Sequence, residues 1–378
     1  MKTIEYINQY GIERLKEELD IIVKEYPEHG IMVLNYNQIG SPKTHPVVME
    51  CRGLILEMGS LKVVSRGFDR FFNYAEAPEY SSFNFEEAEV CEKIDGSLIK
   101  VYNYDGIWYI STRGTAFAES ECNGFGLTFR DLVIRAMPEA VRIHENGATS
   151  FISKDEAFQE SCNFWLDADW TYIFEFTSVE NRVVTRYEGY NLTYLAARHN
   201  QTGEYGDEYE EHAAVGAFEC AVAKRYKFDT IEHCLEMVKE LPDMQEGYVV
   251  YVGGKPVCKI KSPAYVVAHR IKGEGLTPKR IMQLVLMNEV DEYLAYFEED
   301  RKFFTPYVDA LANGVSLMEE VYDRFEGIVD QKEFALKVSK FNFSAVLFKA
   351  RSSGKNVVDV FHEHTEQSKM RMLEGWVK

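Results

Sequence analysis

The sequence contains no run approaching the roughly 18 consecutive apolar residues that a bilayer-spanning helix requires. Its opening residues, Met1-Lys2-Thr3-Ile4-Glu5, lack the apolar core of a secretory signal, so a soluble cytoplasmic protein with no membrane partner is expected. Proline is scarce, at 10 residues against 24 Phe and 23 Tyr with 46% hydrophobic residues, which excludes a disordered or low-complexity chain. The seven cysteines form no C-x-x-C pair and are odd in number, excluding a zinc ribbon and a full disulfide framework, so they read as reduced thiols. Positive charge is also short: 42 Lys and Arg face 61 Asp and Glu, a net charge of -19. Such a chain cannot coat nucleic acid by bulk electrostatics, although a local basic groove remains open to it. No internal repeat is visible, which excludes a solenoid.

At 378 residues the chain has room for one or two domains. Residues 11–26 place Ile12, Leu15, Leu19 and Ile22 three and four apart, which predicts an amphipathic helix. From about residue 30 to 262 short β-type runs dominate, among them SLIKVYNY and IWYIS around Asp105-Gly106, a pair suited to a type I′ hairpin turn. TYIFEFT, NRVVTRY, NLTYLAA and EGYVVYVGGKPVCKIK read as further strands, with Gly253-Gly254 as a turn. Helices are predicted over 127–145 and 230–240. After Ser262-Pro263 helix signals replace the strands: Thr277-Pro278 and Thr305-Pro306 each offer an N-cap followed by Pro, and Asp330 with Glu333 fits a capped start. The expectation is an α+β protein with an antiparallel-sheet domain over 1–262 and a smaller all-α domain over 263–378.

Glu92-Lys93-Ile94-Asp95-Gly96-Ser97 places a lysine before a predicted strand. Alone it reads as a surface lysine beside a turn; three later segments of the chain change that reading. Phe174-Glu175-Phe176 sets a carboxylate opposite two aromatics on one strand, Glu246 opens another, and Lys259-Ile260-Lys261 ends a third. Period-two alternation puts Lys259 and Lys261 on one strand face, where two ammonium groups call for an anion such as a polyphosphate. These residues resemble those of covalent nucleotidyltransferases, and the resemblance implies that Lys93 attacks phosphorus as the neutral amine, so that its pKa must fall from about 10.4, with Lys259, Lys261, Arg52 and a divalent metal as the expected sources of that field.

This ordered set resembles the covalent nucleotidyltransferase superfamily of ATP-dependent ligases and capping enzymes: Lys93 matches the nucleophile of motif I, Glu175 the glutamate of motif III, Glu246 that of motif IV, and Lys259 with Lys261 the lysines of motif V. More narrowly, Asn35-Tyr36-Asn37, Glu50-Cys51-Arg52-Gly53, Phe71-Phe72-Asn73, Asn181-Arg182-Val183-Val184 and Thr202-Gly203-Glu204-Tyr205 resemble the RNA ligase 1 family of T-even-type phages, the tRNA-repair ligases. The resemblance spans about residues 32–265. It implies an adenylyltransferase domain over 1–262, with Lys93 catalytic. Tyr36 and Arg52 would meet the nucleotide phosphates and Phe72 the adenine, with Arg70, Glu92, Gly96, Arg113, Glu175, Glu246, Lys259 and Lys261 also in the ATP site. Arg70 and Arg113 stand where the family carries lysines; arginine keeps the charge and adds a planar fork of donors. Asp95, Glu175 and Glu246 would organise Mg2+ or Mn2+. Implied partners are ATP and RNA with 5′-phosphate and 3′-hydroxyl ends, nicked tRNA above all, with the helical domain selecting the RNA in the cytoplasm of a phage host.

A GTP-dependent capping enzyme or a DNA ligase shares the lysine chemistry, but those families follow motif V with an all-β domain, whereas this chain continues in capped helices. A noncatalytic RNA-binding adaptor is the alternative of a different class. Gly253-Gly254-Lys255 lacks the spacing of a phosphate-binding loop, His362-Glu363-His364 reads as a solvated helix face, and Cys234 reads as core.

Overall fold

The computed structural model describes all residues except 38–39, 75, 77–82, 124, 140, 144–148, 243, 273–275, 288–289, 291–292, 295–296 and 378. The chain forms two compact units, Met1–Val266 and Val267–Lys378.

In chain order the first unit carries β1 (Ile21–Tyr26), β2 (Ile31–Tyr36), β3 (Arg52–Glu57), β4 (Val63–Ser65), β5 (Phe72–Asn73), β6 (Ala88–Lys93), β7 (Ser97–Tyr104) and β8 (Ile107–Ser111). There follow β9 (Val141–Ile143), β10 (Thr149–Phe151), β11 (Trp170–Ser178), β12 (Tyr190–His199), β13 (Ala221–Val222), β14 (Arg225–Tyr226), β15 (Gly247–Val252) and β16 (Lys255–Lys261). They assemble into a four-stranded sheet β1-β2-β3-β4, five-stranded sheets ordered β13-β12-β11-β7-β8 and β14-β6-β15-β16-β5, and the pair β10-β9. Pairing is antiparallel except for the short β12-β13 and β16-β5 contacts.

The two five-stranded sheets face one another. Cys91 and Val249 from one and Ile173 and Ala196 from the other share a core cluster, while the alternate residues Val90, Tyr248 and Val250 pack outward with the helix Ile231–Met237. Burial on both faces is why GYVVYV is a continuous apolar run rather than an alternating one. Phe174 and Phe176 of β11 point to the other sheet's outer core, beneath the helices Phe129–Arg135, Lys154–Trp165 and Glu208–Phe218. The Asp105-Gly106 turn has φ 51° and 78°, as the I′ geometry demands.

Four expectations need correction. The helix over 11–26 stops at Leu19; Asp20 turns left-handed at φ 50° and Ile21–Tyr26 pairs with β2, because the β-branched run Ile21-Ile22-Val23 favours a strand. The helix over 127–145 spans only Phe129–Arg135 inside a Thr128/Asp131 capping box, ends ahead of Pro138 and gives way to β9; positions 140, 144 and 145 lie outside the described residues. NRVVTRY is a loop. Thr305-Pro306 starts no helix: Arg301–Phe325 begins earlier, behind an Arg301–Glu298 pair at 2.7 and 2.8 Å, with Pro306 inside it.

In the second unit Thr277 and Asp330 do cap helices, Pro278–Leu286 and Gln331–Val338. With Ser344–Ser353, Val357–Glu363 and Glu366–Trp376 they enclose a core including Met318, Phe334, Phe343, Leu347 and Phe361. Among the described residues this unit has no strand, and no helix of the chain is long and apolar enough to cross a membrane.

Candidate active site

Lys93 is the last residue of β6, in register with Gly247 of β15, which in turn lies opposite Lys261 of β16. Residues paired across a sheet share a face, so Lys93, Lys261 and Lys259, opposite Val249, all lie on the side turned toward the other five-stranded sheet. Glu175 reaches the same cleft from β11, paired with Leu98 and on the side opposite the buried Phe174 and Phe176. Sequence alternation places Lys259, Lys261 and Glu175 in this way, whereas Lys93, expected in a loop before a strand, instead ends strand β6.

Glu246, 5% exposed, bridges two lysines: Oε2 accepts from Lys93 Nζ at 2.8 Å and Oε1 pairs with Lys261 Nζ at 2.9 Å. Burial pulls the Lys93 pKa down, but the carboxylates of Glu246 and Glu175 outweigh it, and the net direction is upward. The lysine that is pushed down is Lys259, to about 7, by burial and then by Arg52, Lys93, Lys261 and Arg70. The depression expected of Lys93 is thus absent, because acids rather than cations touch it. Burial likewise pushes Glu175 up to about 7, against the pull of Lys93.

A second group of cations surrounds Tyr36 at the end of β2. Arg70 Nη1 donates to Tyr36 Oη at 3.1 Å, and Arg70 and Arg113 stand 5.3 and 5.7 Å from the ring centroid. Burial raises the Tyr36 pKa, but Arg52, Arg113 and Arg70 together bring it below its ordinary value. Arg52 Nη1 and Arg70 Nε are buried and find no hydrogen-bond partner among the described residues. Donors of that kind in a cluster of like charge fit a multiply charged anion. Arg52 and Lys259 both stand 5.5 Å from the ring of Phe71.

Phe72, by contrast, is 2% exposed, in register with Cys258, with Arg70 4.9 Å over its ring. It has no free face for a base, so the adenine contact expected of it is not supported; Phe71 is the half-buried ring beside the cations. Glu92 lies opposite Tyr248, half-buried, one residue before Lys93. Gly96 is a packing requirement: an added Cβ would lie 2.4 Å from the Phe176 carbonyl oxygen, and its N–H donates to Glu175 Oε1 at 3.1 Å.

Asp95 departs from its expected metal role. Its Oδ2 accepts from the backbone N–H groups of Val184 and Thr185 at 2.7 and 2.6 Å, and Oδ1 accepts from Tyr265 Oη at 2.7 Å. This carboxylate holds the Lys93 loop to the 181–187 loop and to the start of the helix Pro263–Lys272, and those bonds are why NRVVTRY is not a strand. Nothing in the local sequence marks Tyr265 as that partner. Among the described residues no group of three or more metal-type ligands is preassembled. Magnesium typically takes one or two carboxylates plus substrate phosphates, so Glu175 and Glu246 fit an ion that arrives with a nucleotide. His362 and Glu363 are exposed at the end of the helix Val357–Glu363, with Glu363 paired to Lys349 at 2.9 Å, whereas His364 is half-buried and extended beyond it, and Cys234 is fully buried.

The chain is 36% identical over 97% of its length to a protein of Autographa californica nuclear polyhedrosis virus named as a bifunctional polynucleotide kinase/RNA ligase, of which it spans about half, 52%. It is 24% identical over 93% of its length to an RNA ligase of Rhodothermus phage RM378, covering 94% of that protein. Among solved structures, an archaeal ATP-dependent RNA ligase is 12% identical with a TM-score of 0.43, covering all of this chain and 79% of that one, a likeness too low to carry an argument. A family model described as RNA ligase matches residues 50–265, more than half of the sequence and the whole stretch from Glu50 to Tyr265 that carries Lys93, Glu175, Glu246 and the late lysines: the chain belongs to the RNA ligase family.

Proposed function

We infer that the chain is an ATP-dependent RNA ligase that joins 5′-phosphate and 3′-hydroxyl ends through a lysyl-AMP intermediate. The observation that carries this reading is the Lys93 Nζ held 2.8 Å from a buried carboxylate on the same sheet face as Lys259 and Lys261. In the first step Lys93 Nζ attacks the α-phosphorus of ATP, the bond to the bridging oxygen breaks and pyrophosphate leaves. Lys93 must lose a proton to do so, and Glu246 Oε2 is the acceptor within reach. Lys259, Lys261, Arg52, Arg70 and Arg113 bind the phosphates and the developing charge. Glu175 and Glu246 would hold a magnesium or manganese ion with the nucleotide oxygens, which supplies further charge neutralisation at phosphorus. AMP then passes to an RNA 5′-phosphate oxygen as the phosphorus–nitrogen bond breaks. Attack of a 3′-hydroxyl on that 5′-phosphorus finally expels AMP.

The phage and baculovirus relatives, named as RNA ligases, support RNA as the substrate, and nicked tRNA is the narrower reading that the sequence resemblance implies. The helical unit would help choose it; a groove between Pro278–Leu286 and Glu366–Trp376 offers Lys279 and Arg371. Incubation with ATP labelled at the α-phosphate, denaturing electrophoresis and mass spectrometry of the labelled peptide test the reading. Acid-labile AMP on Lys93 is expected, absent in a folded Lys93→Ala variant; normal labelling of that variant refutes it. Label from GTP alone would indicate capping chemistry, and none from either nucleotide an RNA-binding adaptor.

A further inference from the structure

The loop 181–187 is built onto the nucleophile from several sides. Asn181 Oδ1 accepts from Ser97 Oγ at 2.8 Å and its Nδ2 donates to the Phe176 carbonyl at 2.7 Å. Val184 and Thr185 donate their backbone N–H groups to Asp95. The Thr185 hydroxyl donates to the carbonyl of Met244, two residues before Glu246, and Tyr187 Oη accepts from Asp95 N–H at 3.3 Å. Arg182 Nε closes the turn on the Val184 carbonyl at 3.0 Å. The loop is therefore a fixed rim joining the Lys93 loop to the entry of β15.

Arg186 sits between the two residues that grip Asp95, and it is exposed. The other exposed arginines described in this unit are all held: Arg14 by Glu18, Arg130 by Asp155, Arg225 by Glu211 and Arg135 by Tyr190. Among the described residues Arg186 has no such partner, in a chain with a net charge of -19. An acidic protein that leaves one arginine unpaired at the rim of its nucleophile offers an anion-binding fork there.

We propose that the 181–187 loop is the landing for the 5′-phosphorylated RNA strand and that the Arg186 guanidinium binds its phosphate, a contact that rests on the ligase reading and extends it to the second substrate. Arg186 makes its contribution after the lysine is charged, since the first step involves no RNA.

The test uses the full chain and its Arg186→Ala, Arg186→Glu and Arg186→Lys variants. Binding of a 5′-phosphorylated oligoribonucleotide is followed by fluorescence anisotropy across a salt series, alongside labelling by ATP and transfer of the label to that RNA. Arg186→Ala should weaken RNA binding and AMP transfer roughly tenfold, Arg186→Glu more, with partial recovery in Arg186→Lys. The slope of log affinity against log salt should shrink by about 0.7, one single-strand phosphate contact. Self-labelling by ATP should keep its rate. Parental RNA affinity and salt slope in Arg186→Ala overturn the proposal, and so does an equal loss of self-labelling, which would mark a disturbed Lys93 loop. Absence of AMP on the unaltered chain would count against the ligase reading instead, and the anisotropy series would still decide Arg186.

Discussion

Lys259 should make nucleotide binding depend on pH with a defined sign. Burial and the surrounding cations push it down to about 7 in the free protein, so at pH 8 to 9 it is largely neutral. A bound polyphosphate reverses the local field and restores the ammonium, which requires uptake of one proton. Affinity for ATP is then full below pH 7 and falls about tenfold for each unit above it, 1.36 kcal/mol per unit, while the pKa in the complex stays higher. From pH 6 to pH 9 this amounts to roughly a hundredfold rise in Kd. Titration calorimetry with a nucleotide whose α,β-bridge cannot be cleaved, at fixed magnesium and in two buffers of different ionisation enthalpy, measures both affinity and proton uptake. Lys259→Arg keeps the charge at all these pH values, and comparison with it cancels titration of the nucleotide itself. The variant should lose the extra pH dependence and the proton uptake. If parent and variant fall in parallel, Lys259 is charged throughout and the account of its environment is wrong.

Lys100 is 1% exposed, donates to the Gly53 carbonyl and, at 3.3 Å, to Ser65 Oγ, and burial alone brings it down to about 7. Its folded pKa lies below its unfolded value, so its destabilising charge is fully present below pH 7 and is relieved as pH rises toward 10.5; Lys100→Met should flatten that rise, about 2 kcal/mol between pH 7 and 9, in denaturant titrations. Gly96→Ala should cost about 2 kcal/mol or more and displace the Lys93 loop, because the obstacle at 2.4 Å is a backbone carbonyl; an unchanged melting temperature would contradict the packing described for β11. Asp95→Ala strands the buried Val184 N–H and the half-buried Thr185 N–H and should cost about 3 kcal/mol, whereas Asp95→Asn can turn its oxygen to them and its amide to Tyr265, recovering most of that stability in thermal melts.

Much of the site was legible because strand alternation is a local property. Lys259 and Lys261 share a face since they are two residues apart, and Glu175 opposes two core aromatics for the same reason. The Asp105-Gly106 and Gly253-Gly254 pairs announced their hairpins because few residues other than glycine, asparagine and aspartate tolerate a positive φ. Helix caps at Thr277 and Asp330 were equally local. Periodicity misled at 11–26, where the spacing of Ile22 suits a helix but the strand β2 was available to pair with Ile21–Tyr26.

By itself, then, the sequence determined the class of the chain, its run of strands followed by helices, and that Lys259 and Lys261 share a strand face while Glu175 opposes two aromatics, since residue type and period-two spacing need no partner to be read. Only the tertiary structure decided what each charge meets. Lys93 is raised rather than lowered because Glu246 arrives from a position 153 residues away, and Asp95 is drawn to Val184, Thr185 and Tyr265 because both of its oxygens are buried among their donors. Burial and the nearest opposite charge set the state of an ionisable group, and both depend on contacts between segments far apart in the chain.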